Sequence, residues 1–251
     1  MDNYILITGA SSGVGRETAV RLSHNNNLII NGRNLERLEE TKKLCEPQSD
    51  VVIWARDLSD VNELESEFGT WLKERRLPIA AFVHCAGMLS MLPLRAISLD
   101  AFEQSYALHV FAPAIIVKIL SSRKFNGQNL KSVVFISSNI SERGATAFSV
   151  YGSSKAALDG LTRNLAMELA PRIRVNSILP GGMVTRMTEE LLENEAFKKQ
   201  SEANYPLGIG KAEDIAPVVE FLLSDDAGWI TGQSITVDGG RTINLTDGKR
   251  T

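Results

Sequence analysis

The stretch Thr8-Gly9-Ala10-Ser11-Ser12-Gly13-Val14-Gly15 decides how this chain is read. It follows an apolar run of strand length, Tyr4-Ile5-Leu6-Ile7, and leads into a helical pattern that starts near Gly15. Glycine at positions 9, 13 and 15 lets the backbone turn tightly and approach a ligand closely. The N-terminus of the following helix offers unpaired N–H groups and a partial positive charge, which suit a pyrophosphate. The spacing is Gly-x-x-x-Gly-x-Gly, not Gly-x-Gly-x-x-Gly. Its position between a first strand and a first helix is what gives the motif weight. Without a ligand the same residues would be a plain glycine-rich turn.

Working outward, apolar runs of strand length alternate with longer helical patterns. Strands are expected at Tyr4–Thr8, Leu28–Asn31, Val51–Ala55, Ile79–His84, Ser132–Ser137, Arg174–Ile178 and Ser234–Val237. Helices are expected at Gly15–His24, Leu35–Cys45, Val61–Glu74, Leu99–Ser121, Val150–Leu169 and Glu213–Leu223. The interior strands are almost continuously apolar, as when helices cover both faces of a sheet. The alternation predicts a single α/β domain over residues 1–251, with a doubly wound, mostly parallel sheet of seven strands. One stretch breaks the short-loop rule. From Pro180 to about Gly210 there is only a weak helical pattern around Met187–Phe197. A substrate lid over about residues 183–210 is expected there, with a surface insertion as the alternative.

Composition excludes several classes. With 43% hydrophobic and 23% charged residues over 251 positions, a full core is within reach and disorder is not expected. A net charge of −3 gives no basic surplus for a nucleic acid or a membrane surface. The N-terminal run lacks the basic flank of a signal peptide, and no window reads as a spanning helix. Cys45 and Cys85 lack metal-like spacing, and His24, His84 and His109 are scattered, so no metal is expected. Reduced thiols and the missing signal predict a cytoplasmic protein.

Two further patterns carry chemistry. After the second strand comes Asn31-Gly32-Arg33-Asn34, with no acid at the place where one would read the adenosine ribose of NAD. The forked, permanently charged Arg33 suits the 2′-phosphate of NADP(H), with NAD(H) the second choice; a surface charge is the plain alternative. Farther on, Tyr151 and Lys155 are four apart, one turn on a helix face. A phenol loses its proton only near pH ~10. A neighbouring ammonium lowers that value, so the pair can act as an acid or base. Alone, it could equally be a solvated helix face.

The motifs together resemble the short-chain dehydrogenase/reductase family over essentially the whole length. The glycine turn, Cys85-Ala86-Gly87, Ser138, Tyr151-x-x-x-Lys155, Pro180-Gly181 with Thr185, Thr231-Gly232-Gln233 and Asp238-Gly239-Gly240 occur in that family's order. Ser138 precedes Tyr151 by thirteen residues, the family's usual spacing. The resemblance implies a Rossmann fold and an NADP(H)-dependent oxidoreductase interconverting a ketone and a secondary alcohol. Tyr151 would be the acid/base, Lys155 would hold the nicotinamide ribose and lower the tyrosine pKa, and Ser138 would hydrogen-bond the substrate oxygen. Strand alternation sends the neighbouring Ser137 to the other face. The cofactor would lie along Gly9, Ser11, Ser12, Gly13, Val14 and Gly15, then Arg33, Asp57 with Leu58, Ala86 and Gly87. Tyr151, Lys155, Pro180, Gly181 and Thr185 would flank the nicotinamide. Asp57 would accept from the adenine, or simply cap a helix.

Two positions depart from the family pattern. His84-Cys85-Ala86-Gly87 stands where Asn-Asn-Ala-Gly is usual, and His109 stands where the family has an active-site Asn. A neutral imidazole can accept or donate, so His109 is a candidate member of a proton relay that would be sensitive to pH. The alternative is a satisfied core histidine.

The resemblance extends to 3-oxoacyl-acyl-carrier-protein reductases. An acyl-carrier partner would then dock on basic residues near the mouth, with Arg123, Lys124, Lys131 and Arg172 as candidates. A sugar or polyol substrate is equally open, and a cofactor-binding scaffold with little turnover is the reading from another class. The helices at Leu99–Ser121 and Val150–Leu169 carry much apolar surface, and the resemblance implies that they pair in a homotetramer.

Overall fold

The computed structural model describes residues 3–184 and 203–245. The expected helical pattern at Met187–Phe197, most of the expected lid, and Thr185 lie outside these residues. Strand β1 (Tyr4–Thr8) is buried at every position and sits in the middle of the sheet. The chain passes through α1 (Gly13–Leu22) to β2 (Asn27–Gly32), and through α2 (Leu35–Leu44) to β3 (Val51–Ala55). It then crosses back through α3 (Leu64–Arg75) to β4 (Ile79–His84), on the other side of β1.

The second half repeats the pattern with α4 (Leu99–Tyr106), α5 (Ala112–Ser121), α6 (Arg123–Asn126), β5 (Ser132–Ile136), α7 (Ser149–Leu169) and β6 (Arg174–Pro180). A two-residue ladder joins β7 (Met183–Val184) to β8 (Gly210–Lys211). Helix α8 (Ala212–Leu223) and strand β9 (Ser234–Val237) complete it. The sheet order is β3-β2-β1-β4-β5-β6-β9, and every ladder in it is parallel. The expected doubly wound α/β sheet is therefore present with all seven strands. The winding reverses between β1 and β4, which opens a crevice at the carboxyl ends of those strands.

Strand alternation divides the core into two layers. Tyr4 and Leu6 pack with Phe68, Phe82, Ile116, Phe135 and Leu158 on the side of α3, α5 and α7. Ile5 and Ile7 pack with Val14, Leu22, Leu38, Ile215 and Val219 on the side of α1, α2 and α8. Each such side chain stabilises by about 1.5–3 kcal/mol when fully buried.

Most boundaries fall within a few residues of expectation, and the larger differences have causes. Helix α3 starts at Leu64, not Val61, because Glu63 is left-handed at φ 56°. The expected helix Leu99–Ser121 is interrupted by a π-turn at Ala107–Phe111. Pro113 lies in the first turn of α5 and cannot donate to the carbonyl of His109 four residues back, which favours the wider turn. Contrary to expectation, Leu99–Ser121 is long and apolar enough, by length and composition, to span a membrane. Half of its most apolar window is buried, and Ile116, Val117, Ile119 and Leu120 are core residues, so packing accounts for its apolarity.

Candidate active site

The glycine turn closes over the end of β1. Gly9 has φ 69°, and a Cβ there would lie 2.6 Å from the Ala86 nitrogen. A Cβ at Gly15 would lie 2.3 Å from the Gly9 carbonyl oxygen. Any side chain at either point would force the turn open. Ala10 N donates to the Asn31 carbonyl, which ties the turn to β2. Ser12 is the N-cap of α1, but its side chain caps nothing, so the first-turn N–H groups are left for a ligand. Ser11 lies beside Gly32, whose added Cβ would meet its Oγ at 3.4 Å. Val14 is buried in the core and can offer only backbone.

At the far end of the crevice, Arg33 and Asp57 face each other at 3.7 Å, and Arg33 is largely exposed. Asp57 Oδ1 accepts from the Ser59 backbone and hydroxyl at 2.9 and 2.7 Å. Burial raises the Asp57 pKa, but those bonds and the Arg33 charge outweigh it and hold the carboxyl below its ordinary value. Asp57 therefore both caps a turn and meets Arg33. The Leu58 side chain packs with Trp54 and Leu64 in the core, so only its backbone can face the crevice.

The triad residues converge where β5 ends and α7 begins. Ser137 Oγ donates to the Lys155 carbonyl at 3.3 Å, turned into α7. Ser138 Oγ accepts from Ile140 N at 3.2 Å, and the Ser138 hydroxyl is near enough to the Tyr151 phenol to favour its ionised form. Burial pushes the Tyr151 phenol above its ordinary value, with the Ser138 hydroxyl opposing. Lys155 stands one turn further along α7. Its Nζ lies 5.9 Å from the centre of the Tyr151 ring and donates to the Ile136 carbonyl at 2.9 Å. Burial brings the Lys155 ammonium down to about 8, with Asp159 one turn further on opposing. A Cβ at Gly87 would lie 3.7 Å from Lys155 Nζ and 3.4 Å from His109 Nε2, so Gly87 fronts both.

His109 is fully buried. Its Nδ1 lies 2.8 Å from Ser154 Oγ, its Nε2 accepts from Met88 N at 3.1 Å, and its ring meets Tyr151 edge-on at 5.7 Å. Burial first, then the Lys155 charge, hold its pKa far below the ordinary histidine range.

The roof of the site comes from later parts of the chain. Gly181 N donates to the Val237 carbonyl beyond Pro180, and a Cβ at Gly181 would lie 2.8 Å from both Asp238 Cβ and Tyr205 Cε1. The Tyr205 hydroxyl accepts from Gly182 N at 2.6 Å. Asp238 accepts from Asn139 Nδ2 at 3.2 Å and from the Thr242 hydroxyl at 2.5 Å. The motif reading missed Tyr205, Asn139 and Thr242; only Asp238-Gly239-Gly240 had signalled this corner.

The basic residues expected at the mouth lie elsewhere. Lys131 precedes β5, and Arg172 precedes β6 and donates to Ser121 O at 3.4 Å. Arg123 and Lys124 form the start of α6. All four stand at the entry edge of the parallel strands, whereas Ser138 and Pro180 stand at the exit edge. A five-residue strand separates the two by roughly 17 Å. They do not line the mouth.

A glycine cradle that no Cβ could enter, an uncapped helix N-terminus and a switch-point crevice fit a bound dinucleotide. With a phenol, a hydroxyl and an ammonium meeting at its inner end, the site is that of a dinucleotide-dependent oxidoreductase. Comparison with known proteins narrows the class. A family model described as enoyl-(acyl carrier protein) reductase matches residues 9–242. L-xylulose reductase of Caenorhabditis elegans is 31% identical over 249 residues, covering 97% of each chain. A 3-oxoacyl-acyl-carrier-protein reductase of Rickettsia conorii is 34% identical over 244 residues, 94% of this chain and 95% of that one. The structure of 4-hydroxyisoleucine dehydrogenase complexed with NADH superposes with a TM-score of 0.89 at 30% identity, covering 96% of this chain and 99% of that one. The chain belongs to the short-chain dehydrogenase/reductase family, whose members act on CH–OH groups with a nicotinamide cofactor.

Proposed function

We propose that this protein interconverts a ketone and a secondary alcohol with NADP(H), using Tyr151 as the acid/base. The observation that carries this is the convergence of Ser138, Tyr151 and Lys155 at one buried place, with Gly87 fronting the ammonium. A bound nicotinamide supplies or takes the hydride. In reduction the phenol of Tyr151 gives its proton to the substrate oxygen, and Ser138 donates a hydrogen bond to the charge developing there. A phenol held above its ordinary value stays protonated at working pH, which suits a proton donor. Lys155 holds the nicotinamide ribose, Pro180, Gly181 and Thr185 flank the ring, and Ala86 lies along the adenosine side. Arg33 takes the 2′-phosphate, with Asp57 at 3.7 Å as its partner until the phosphate binds.

A small polar or apolar ketone is preferred over an acyl-carrier-linked one. The basic candidates for a carrier stand at the opposite edge of the sheet, so that reading rests on the 3-oxoacyl-acyl-carrier-protein reductase relative and on the description of the family model. Exposed Leu99, Phe111 and Met167 leave apolar surface on the central helix and α7, as pairing with further copies in a homotetramer requires. Both cysteines are free thiols, in keeping with the cytoplasm.

The test is a panel of ketoses, 2-keto acids, 3-oxoacyl thioesters and simple ketones, with NADPH and NADH, followed by the absorbance of the reduced nicotinamide. Oxidation of NADPH by one of these classes, faster than NADH, supports the proposal. Tight cofactor binding with no turnover on any class would instead make the protein a scaffold.

A further inference from the structure

His84 and His109, the two residues that depart from the family pattern, meet in one hydrogen-bonded assembly. His84 Nε2 lies 3.1 Å from the Leu108 carbonyl oxygen, which can only accept, so Nε2 carries the proton. Its Nδ1, 2.8 Å from Thr8 Oγ1, is then the acceptor. At His109 the order is reversed. Met88 N–H points at Nε2, so that nitrogen holds the lone pair and Nδ1 carries the proton toward Ser154 Oγ. Ser154 Oγ passes its own hydrogen on to the Tyr151 carbonyl at 2.7 Å.

The π-turn explains why a histidine is needed at position 84. Within that turn the Ala112 N–H bonds the Ala107 carbonyl. The next donor in the same register would be residue 113, which is proline and has none. The carbonyl left over is that of Leu108, and His84 Nε2–H reaches it. An unpaired buried carbonyl would cost about 1–3 kcal/mol.

We propose that His84 and His109 form a tautomer-locked brace, in which both stay neutral and position the catalytic turn without relaying protons. One arm runs from Thr8 at the glycine turn through His84 to Leu108. The other runs from Met88, on the wall of the site, through His109 and Ser154 to the backbone of Tyr151. Each ring nitrogen has a fixed partner, so protonating either ring breaks a bond to a main-chain N–H or a hydroxyl. The titratable groups that face the rings are Lys155 and Tyr151 from α7 and each other. Burial and the Lys155 charge bring His84 down to about 3 and His109 lower still, in agreement with neutrality. The proposal rests on Tyr151 as proton donor only where it concerns turnover.

The first test is independent of activity. In protein labelled with 15N at histidine, the ring nitrogens of the two buried residues report tautomer and charge directly, and H24Q removes the third ring. The brace predicts a proton on Nε2 of His84 and on Nδ1 of His109, with neither titrating between about pH 5.5 and 8.5, the interval of an ordinary imidazole. A charged ring in that interval, or His109 with its proton on Nε2, overturns it.

The second test is kinetic. H109F keeps the ring's bulk and loses both bonds, and is expected to lower kcat about tenfold or more; H109N keeps an acceptor and a donor and should recover to within about threefold, with the same pH profile. S154A should lower kcat in the same sense should H109F fail to fold. Wild-type kcat in both H109F and S154A, or a wild-type ionisation that H109N abolishes, overturns the brace. Retained turnover in Y151F alongside the stated tautomers would remove the acid/base reading and leave the brace.

Discussion

The two halves of the molecule bind their functional groups by different means. In the β1–β3 half the site is made of backbone and open surface: a turn too tight for any Cβ, an uncapped helix and an exposed Arg33–Asp57 pair. In the β4–β6 half it is made of buried polar side chains that satisfy one another. Lys155, His84 and His109 are sealed from solvent, and each has a specific partner. The nucleotide half holds a charge in water, where screening makes single ions weak. The catalytic half holds charge and dipoles in a dry interior, where each is worth more and costs more. Under the proposed function, binding belongs to the first half and chemistry to the second, and substitutions should separate the two.

The largest effect belongs to the buried half. Lys155→Met removes the ammonium and is expected to lower kcat/KM about a thousandfold in steady-state assays. Its thermal midpoint at pH 7 should hold or rise, because a buried charge is gone. A variant that keeps activity would mean that this half does not depend on the ammonium. Next comes Gly15→Ala. Its new Cβ collides with the Gly9 carbonyl, so the turn must open; a destabilisation of about 2–3 kcal/mol and a loss of nucleotide affinity are expected from chemical denaturation and fluorescence titration. Arg33→Ala acts only on the open surface. It should raise the KM for NADPH about tenfold and that for NADH far less, with kcat nearly unchanged. Equal changes for both cofactors would remove the NADP assignment.

The smallest effect is one of pH, and its sign tells the two halves apart. Lys155 in the free protein loses its proton near about 8, so kcat/KM for reduction should fall as pH rises through that value. Stability should move the other way. From about 8 up to the ordinary lysine value, the unfolded chain binds the proton that the folded one has lost, so unfolding free energy rises with pH. Activity and stability measured across the same buffers should therefore diverge above about pH 8. A parallel fall of both would mean that Lys155 is not the group that titrates.

The same division explains what was legible in the sequence. The strand Tyr4–Thr8 reads true because its burial on both faces leaves an almost unbroken apolar run. The glycine turn was legible because its requirement is steric and local. Ser138 and Tyr151 were legible through spacing, and the geometry gives a reason: one ends the β5 segment and the other opens α7. What was not legible depends on partners distant in the chain. The burial of Leu58 follows from Trp54 and Leu64 closing over it. The rise in the Tyr151 pKa comes from burial, which spacing along the chain does not show. Tyr205 over Gly181-Gly182, and Asp238 bonding Asn139 and Thr242, join segments with no shared motif. The π-turn had one local sign, Pro113, which tolerance of proline in a helix's first turn disguised.

The central claim is that Tyr151 supplies the proton while the nucleotide half holds the hydride donor independently. Tyr151→Phe tests it most directly, in a single-turnover experiment with a ketone found active in the panel. The account predicts NADPH binding within about twofold of wild type and a rate of cofactor oxidation lower by about a thousandfold. Oxidation at a rate near wild type, with the phenol gone, would contradict it.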